Sequence, residues 1–201
     1  MAGLIAKKLE MTRVIKDDKF IPVTLLKVPT LKVVGKKTLE KDGYSSLVVG
    51  ILRSGSEGKL KEGKSSLSLC DFYEIREFRC EEGDLAKFNI GDEITLDVLD
   101  GVGLVSVEGI SKGNGFTGAM KKWNFHGGRA THGSKFHRAL GSIGNRKPRR
   151  THKGKKMHGH HGNYVITLKK VPVELVNKEI SVVGVRGGVP GARNSLVKII
   201  F

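Results

Sequence analysis

A mainly β fold is what this chain of 201 residues predicts. Val, Leu and Ile dominate its apolar residues, aromatics are scarce, and 27 glycines interrupt the chain at short intervals, which favours strands and turns over helices. Strand-type alternation occupies both ends of the chain and is missing from the middle. The simplest architecture closes the two ends on each other as a β-barrel and leaves the middle projecting as a long irregular basic extension. A hydrophobic content of 38% is enough to bury such a core without covalent staples.

In chain order, the first strands are expected at Gly3 to Ile15, Phe20 to Val28, Leu31 to Val34 and Tyr44 to Leu52, with turns at Lys16-Asp17-Asp18, Pro29-Thr30 and Asp42-Gly43. Pro22 inside the second run marks an edge or a bulge, because it has no N–H for a ladder. From Arg53 to Ser66 the chain is polar and glycine-rich, an exposed loop opening a small inserted subregion of about residues 53–92. Leu67 to Arg79 alternates in part, and Glu81 to Ile90 supplies a short helical turn. Glu93 to Leu99 alternates Ile94, Leu96 and Val98 against Thr95 and Asp97, and Leu104 to Ile110 places Val105 and Val107 on one face. Strand periodicity returns at Tyr164 to Val171, Glu179 to Arg186 and Ser195 to Phe201. The body is therefore 1–110 with 164–201, and the extension is 111–163.

Charge separates these parts. Ser111 to Asn163 holds 13 of the 36 Lys and Arg residues, all seven His and no Asp or Glu, whereas the remaining 148 residues carry 23 bases and 20 acids. Nearly all of the formal +16 is thus concentrated in one segment, which requires a polyanion to neutralise it. Such a segment, poor in apolar anchors, is expected to order on its partner. RNA read by shape is favoured over duplex DNA, since no helix here is long enough to fill a major groove, although composition alone equally allows a nucleic-acid chaperone or compaction protein. Cys70 and Cys80 form no CxxC, no run approaches a membrane span, and the N-terminus lacks a signal-peptide apolar region, so a soluble, cytoplasmic protein with no membrane partner is expected.

Three motifs offer competing chemistry. Gly58 to Ser65 spells the P-loop pattern GxxxxGK[ST], a distant NTPase alternative, but the residues after it, Ser66 to Phe72, read as a strand where a helix is needed. Gly113 to Gly118 spells GxGxxG before a short helix at Ala119 to Asn124, yet the next acid after Glu108 is Glu174, so no ribose-binding carboxylate follows at the required distance. His158, His160 and His161 invite a metal, but no carboxylate lies near to orient them, and no metal site is expected. No catalytic residue, cofactor or small-molecule substrate is expected. Trp123 either stacks on a base or anchors the root of the extension in the core, and a lone Trp beside Phe125 favours the anchor. The densest charge, Asn145 to Lys156, is stiffened by Pro148.

Several blocks in order resemble the bacterial large-subunit ribosomal protein three (L-three) family: Gly3 to Val14, Ile21 to Lys27, Asp42 to Tyr44, Ser111 to Asn124, Ala130 to Gly133, Arg138 to Gly144, Lys153 to Asn163 and Gly188 to Ala192. The resemblance implies a translation-protein-type β-barrel and an extension reaching through 23S-type rRNA toward the peptidyl-transferase centre, with its tip at Gly144 to Lys156. It further implies binding near the rRNA 3′ end, a role in nucleating subunit assembly, and neighbouring ribosomal proteins as partners. The residues expected against rRNA are Lys112, Gly113, Gly115, Lys121, Lys122 and Trp123 at the root, then Arg129, His132, Lys135, His137 and Arg138. Across the tip they are Asn145, Arg146, Lys147, Arg149, Arg150, His152, Lys153, Lys155 and Lys156, and on the return His158, His160 and His161. The chain departs from the family pattern at Ala6 and Glu10, where glycine is usual, at Asn114, where a base is usual, and at the tip, which is Arg-rich in a chain without any Gln.

Overall fold

The computed structural model describes residues 3–53 and 69–201, the side chain of Leu69 excepted. In chain order its strands are β1 Gly3–Lys16, β2 Lys19–Lys27, β3 Leu31–Lys37, β4 Ser46–Leu52, β5 Phe72–Arg79, β6 Glu93–Ile94, β7 Leu104–Ile110, β8 Gly115–Thr117, β9 Gly159–His161, β10 Val165–Asn177, β11 Val182–Arg186 and β12 Leu196–Ile200. Among the described residues the helices are short: α1 Leu39–Asp42, α2 Glu82–Leu85 and α3 Ala119–Trp123. The chain divides into two compact units, Met1–Ile110 with Val165–Phe201, and Ser111–Tyr164.

In the first unit six strands close a barrel in the order β1-β12-β7-β10-β11-β2, every neighbour antiparallel. Closure requires the strands to bend, and bulges supply the bends: β1 carries an extra residue between Lys8 and Met11, and β10 shifts register between Leu168 and Val171, where Lys170 has φ 55°. Directly paired residues share a face, so Leu4, Ile199 and Val107 form one transverse row, each at 0% exposure. The β1–β2 turn is Asp17-Asp18 with both φ positive (51° and 58°), the twist that a tight hairpin needs and that Asp tolerates. After β11, the loop from Gly187 to Gly191 is tied to the barrel wall: the Lys8 ammonium donates to the carbonyls of Val189 (2.6 Å) and Gly191 (3.0 Å), and Thr24 Oγ1 donates to Gly187 O.

A four-stranded sheet, β5-β4-β3-β6, shares the barrel's core through Leu31, Val33, Leu47, Val49 and Phe78. Gly3 lets Phe78 lie flat on β1, because a Cβ there would overlap the ring and come within 2.9 Å of Ile199 O. On the sheet's outer face Lys37 donates to Tyr44 Oη (2.6 Å) and meets Glu77 at 2.8 Å, while the Tyr44 hydroxyl donates to Glu77 Oε2 at 2.9 Å. The hydrogen bond from Lys37, then that from Tyr44, holds the Glu77 carboxyl below the ordinary carboxylate range.

Several elements differ from expectation. Glu93 to Leu99 is only a two-residue strand followed by a 3-10 turn at Leu96–Leu99, because Leu96 and Leu99, three apart, are the pair driven inward (5% and 2% exposed). β11 starts at Val182 and not at Glu179: residues 178–181 form a turn in which Asn177 Oδ1 accepts from the N–H groups of Glu179 and Ile180. β10 runs on past Val171 to Asn177, carried through Pro172 by the bulge, and β3 runs on to Lys37. Of the expected strand Leu67 to Arg79, the described part begins as a 3-10 turn at Leu69–Asp71 and becomes a strand at Phe72–Arg79. Pro22 lies just beyond the last β2–β11 pair, Val23 with Arg186, where its missing N–H costs no ladder bond. The P-loop match at Gly58 to Ser65, like most of the expected 53–66 loop, lies outside the described residues.

Two outcomes follow. Ile199→Ala removes a wholly buried side chain and is expected to cost about 2–5 kcal/mol in urea unfolding. For Glu77, a carboxyl held low in the fold stabilises above its unfolded pKa of about 4.3, and that contribution disappears as pH falls through the lower folded value. The Tm gap between wild type and Glu77→Gln, read by circular dichroism, is expected to be largest above about pH 5 and to close as the solution is acidified.

Candidate nucleic-acid interface

The second unit begins and ends in a neck built from backbone. Ser111 N–H donates to Tyr164 O (3.0 Å), Asn163 N–H donates to Ser111 O (3.2 Å), and Asn114 N–H donates to His161 O (2.8 Å). Above it β8 and β9 pair antiparallel, Gly115 with His161, Phe116 with His160 and Thr117 with Gly159. Gly162 is required at this point: its φ is +80°, and a Cβ would fall on the Lys112 carbonyl. Gly118 then starts α3, which stops at Asn124 in the left-handed conformation, its N–H donating to Met120 O. The extension is therefore not irregular throughout. Its root carries a small sheet and a helix, because the short apolar run from Phe116 to Trp123 gives the chain something to fold on.

Trp123 fastens that root, though not in the way expected. Its indole is 39% exposed, so it is not a core anchor, and its Nε1–H donates to Met157 O at 2.7 Å, tying α3 to the returning chain. The Lys122 and Lys156 ammonium groups lie 5.3 Å and 5.6 Å from the indole centroid, which offsets part of the repulsion between them. Phe116 and His158 stack obliquely, 5.5 Å apart at 51°.

Of the expected residues the root thus brings together Gly113, Gly115, Lys122, Trp123, Lys156, His158, His160 and His161, with Lys112 in the neck and Lys121 exposed on α3. Arg129, His132, Lys135, His137 and Arg138 lie exposed along loops closed by the bond from Gly128 N–H to His137 O (3.0 Å), where a Cβ on Gly128 would overlap the Phe136 carbonyl. Asn145, Arg146, Lys147, Arg149, Arg150, His152, Lys153 and Lys155 are exposed at and beyond the tip, which folds over Pro148 through Arg150 N–H donating to Pro148 O. A shallow hollow of about 480 Å³ opens there between Ser142 to Asn145 and Pro148 to Thr151. Twelve of the thirteen basic side chains are exposed and Lys122 is half-buried. No carboxylate exists inside the unit to pair with any of them.

Sequence reasoning missed Thr117, whose Oγ1 is buried without a hydrogen-bond partner, as is His161 Nδ1. It also missed Met157, which acts through a backbone carbonyl that no side-chain pattern announces. The GxGxxG stretch does not form a dinucleotide site. Its second glycine lies within strand β8, and the helix after it has five residues. Among the described residues no three metal-ligating side chains come together.

A closed β-barrel in a chain whose second unit displays exposed cations without a single anion defines a polyanion-binding protein. The chain belongs to the ribosomal protein L3 family, whose model matches residues 74–179. It is 42% identical over 201 residues to the large ribosomal subunit protein uL3 of Thermosipho melanesiensis, covering 99% of this chain and 97% of that one. It is likewise 42% identical over 203 residues to the protein of that name from Geobacter metallireducens (97% and 94% covered). The Thermotoga maritima protein is 41% identical over 201 residues (99% and 96% covered).

Gly162→Ala is expected to open the neck, since the left-handed backbone alone costs roughly 1–2 kcal/mol for a residue with a Cβ. Hydrogen exchange at the Asn114 amide should speed up about tenfold or more, and emission of Trp123, the sole Trp, should change with it. Gly144→Ala, where a Cβ meets open space, should alter neither.

Proposed function

We propose that this chain is a structural constituent of the large ribosomal subunit, working in the cytoplasm without catalysing a reaction. Its barrel is the anchor and its Ser111–Tyr164 unit is the surface that holds rRNA. The observation that carries this reading is the segregation of charge: thirteen Lys and Arg with no Asp or Glu lie in one compact unit, almost all exposed, while the rest of the chain is nearly neutral. Cations arranged in this way bind phosphate regardless of sequence, and glycines such as Gly128 and Gly162 keep the backbone slender enough to run between RNA helices. The finer reading rests on family resemblance. The unit extends toward the peptidyl-transferase centre, the protein binds 23S-type rRNA near its 3′ end and nucleates assembly, and its other partners are neighbouring ribosomal proteins. The Arg149-Arg150 tip, lacking any Gln, holds its place by pairing with phosphate.

The tagged protein is expected to sediment with large subunits at moderate salt. Recovery mainly on nucleoid DNA or on free RNA would instead identify a chaperone or compaction protein. Arg149→Glu with Arg150→Glu is expected to impair subunit maturation while leaving the melting temperature of the free chain unchanged. The same change should reduce the slope of log affinity for rRNA against log salt by at least about 1.5. Equal damage to folding and to assembly would contradict the division into anchor and probe.

A further inference from the structure

The β1–β2 hairpin outruns the barrel. β12 pairs with β1 only from Gly3 to Lys7, and β11 pairs with β2 only from Val23 to Lys27, so residues 9–22 form a two-stranded arm beyond the rim. In the arm's register Arg13 faces Pro22 and Ile15 faces Phe20, which puts these four side chains and Met11 on one face. That face is apolar and uncovered: Met11, Ile15 and Phe20 are 53%, 66% and 64% exposed. The other face is the one used for packing, since its Ile21 is 8% exposed. Three large exposed apolar side chains on one sheet face, with Arg13 between Met11 and Ile15, are the mark of a surface that another molecule covers.

The arm's charges say what kind of molecule. Residues 9–22 hold three bases (Arg13, Lys16, Lys19) and three acids (Glu10, Asp17, Asp18), net zero, in a chain whose cationic excess lies almost wholly in the Ser111–Tyr164 unit. Three of the six are also engaged: Glu10 meets Arg193 at 3.3 Å, Lys16 meets Glu174 at 3.5 Å, and the Arg13 guanidinium lies 4.8 Å over the Phe20 ring. A phosphate backbone approaching the arm finds no excess of cations and meets two aspartates at the turn. A protein surface without net charge meets three large apolar anchors flanked by charges that sum to zero, the composition of an interface centre.

We propose that the Met11–Ile15–Phe20 face of this arm docks a neighbouring protein of the large subunit through an apolar, near-neutral surface on that protein, and that rRNA does not cover it. The inference rests on the reading that the chain resides in the large subunit. A photo-crosslinking phenylalanine derivative placed at Phe20, and separately at Ile15, in the tagged full-length chain tests it in large subunits purified by sedimentation. The expected result is that both positions cross-link to one and the same ribosomal protein. Adducts with rRNA, adducts with a second copy of this chain, or no adduct in subunits that contain the chain would overturn it. Absence of the unsubstituted tagged chain from large subunits would overturn the functional reading as well, so the two failures are distinct. The double variant Ile15→Ser with Phe20→Ser should keep the melting temperature of the free chain, yet its subunits should lose the cross-linked neighbour about tenfold more readily in a high-salt wash. A melting temperature lowered by this change would mean that the face belongs to the chain's own core.

Discussion

Thirteen cations with no carboxylate among them repel one another at every separation shorter than a Debye length of about 8 Å, and no salt bridge can be made inside their unit to offset this. Whatever holds Ser111–Tyr164 in shape must therefore be uncharged. The unit meets that requirement at its root: backbone pairing between β8 and β9, the indole N–H of Trp123 on the Met157 carbonyl, and an aromatic ring within reach of two ammonium groups. Glycine serves the same end by letting chains approach where a Cβ would collide, as at Gly162 and Gly128. Because the contacts beyond the root, Gly128 N–H on His137 O and Arg150 N–H on Pro148 O, are also made by backbone, the cationic side chains there are left facing outward.

The barrel meets the complementary requirement of rigidity. β7 ends at Ile110 and β10 begins at Val165, and those two residues are paired neighbours, so an insertion of more than fifty residues leaves and rejoins the barrel at one point. Loop-closure entropy rises only slowly with length, so the barrel tolerates the insertion as long as that pairing survives. Lys8 shows the same economy of charge as the root of the extension: its ammonium is used on the carbonyls of Val189 and Gly191 to fix a loop, a use in which arginine's planar fork would not substitute readily.

The barrel strands were legible because each repeats with period two between good turn residues. Gly3 to Ile15 and Leu104 to Ile110 lie almost where alternation puts them. What alternation does not carry is where a strand bends or stops when a neighbour decides. β10 passes through Pro172 because a bulge at Lys170 absorbs the change in register, and Leu96 with Leu99 turns inward because the core below accepts a 3-10 spacing. In the candidate interface, the cationic side chains are legible from composition alone. The geometry that joins them is not, since its acceptors are the carbonyls of Met157, Ser111 and His161, and a carbonyl has no residue type. The Trp123 indole lies at the surface of its unit because its one strong polar contact is to such a group.

Two kinds of surface on one chain follow from a single rule about where charge is neutralised. In the Ser111–Tyr164 unit no neutralisation occurs within the protein, and the surface is complete only against a polyanion. In the β1–β2 arm bases and acids balance, with Glu10 on Arg193, Lys16 on Glu174 and Arg13 over Phe20, and what stays uncovered is apolar area. Counterion release rewards the first surface and has nothing to act on at the second, whereas removal of apolar area from water rewards the second and does little for the first. A chain that binds RNA and protein at once, as proposed above, gains from keeping these two driving forces on different elements, because neither partner then competes for the other's site.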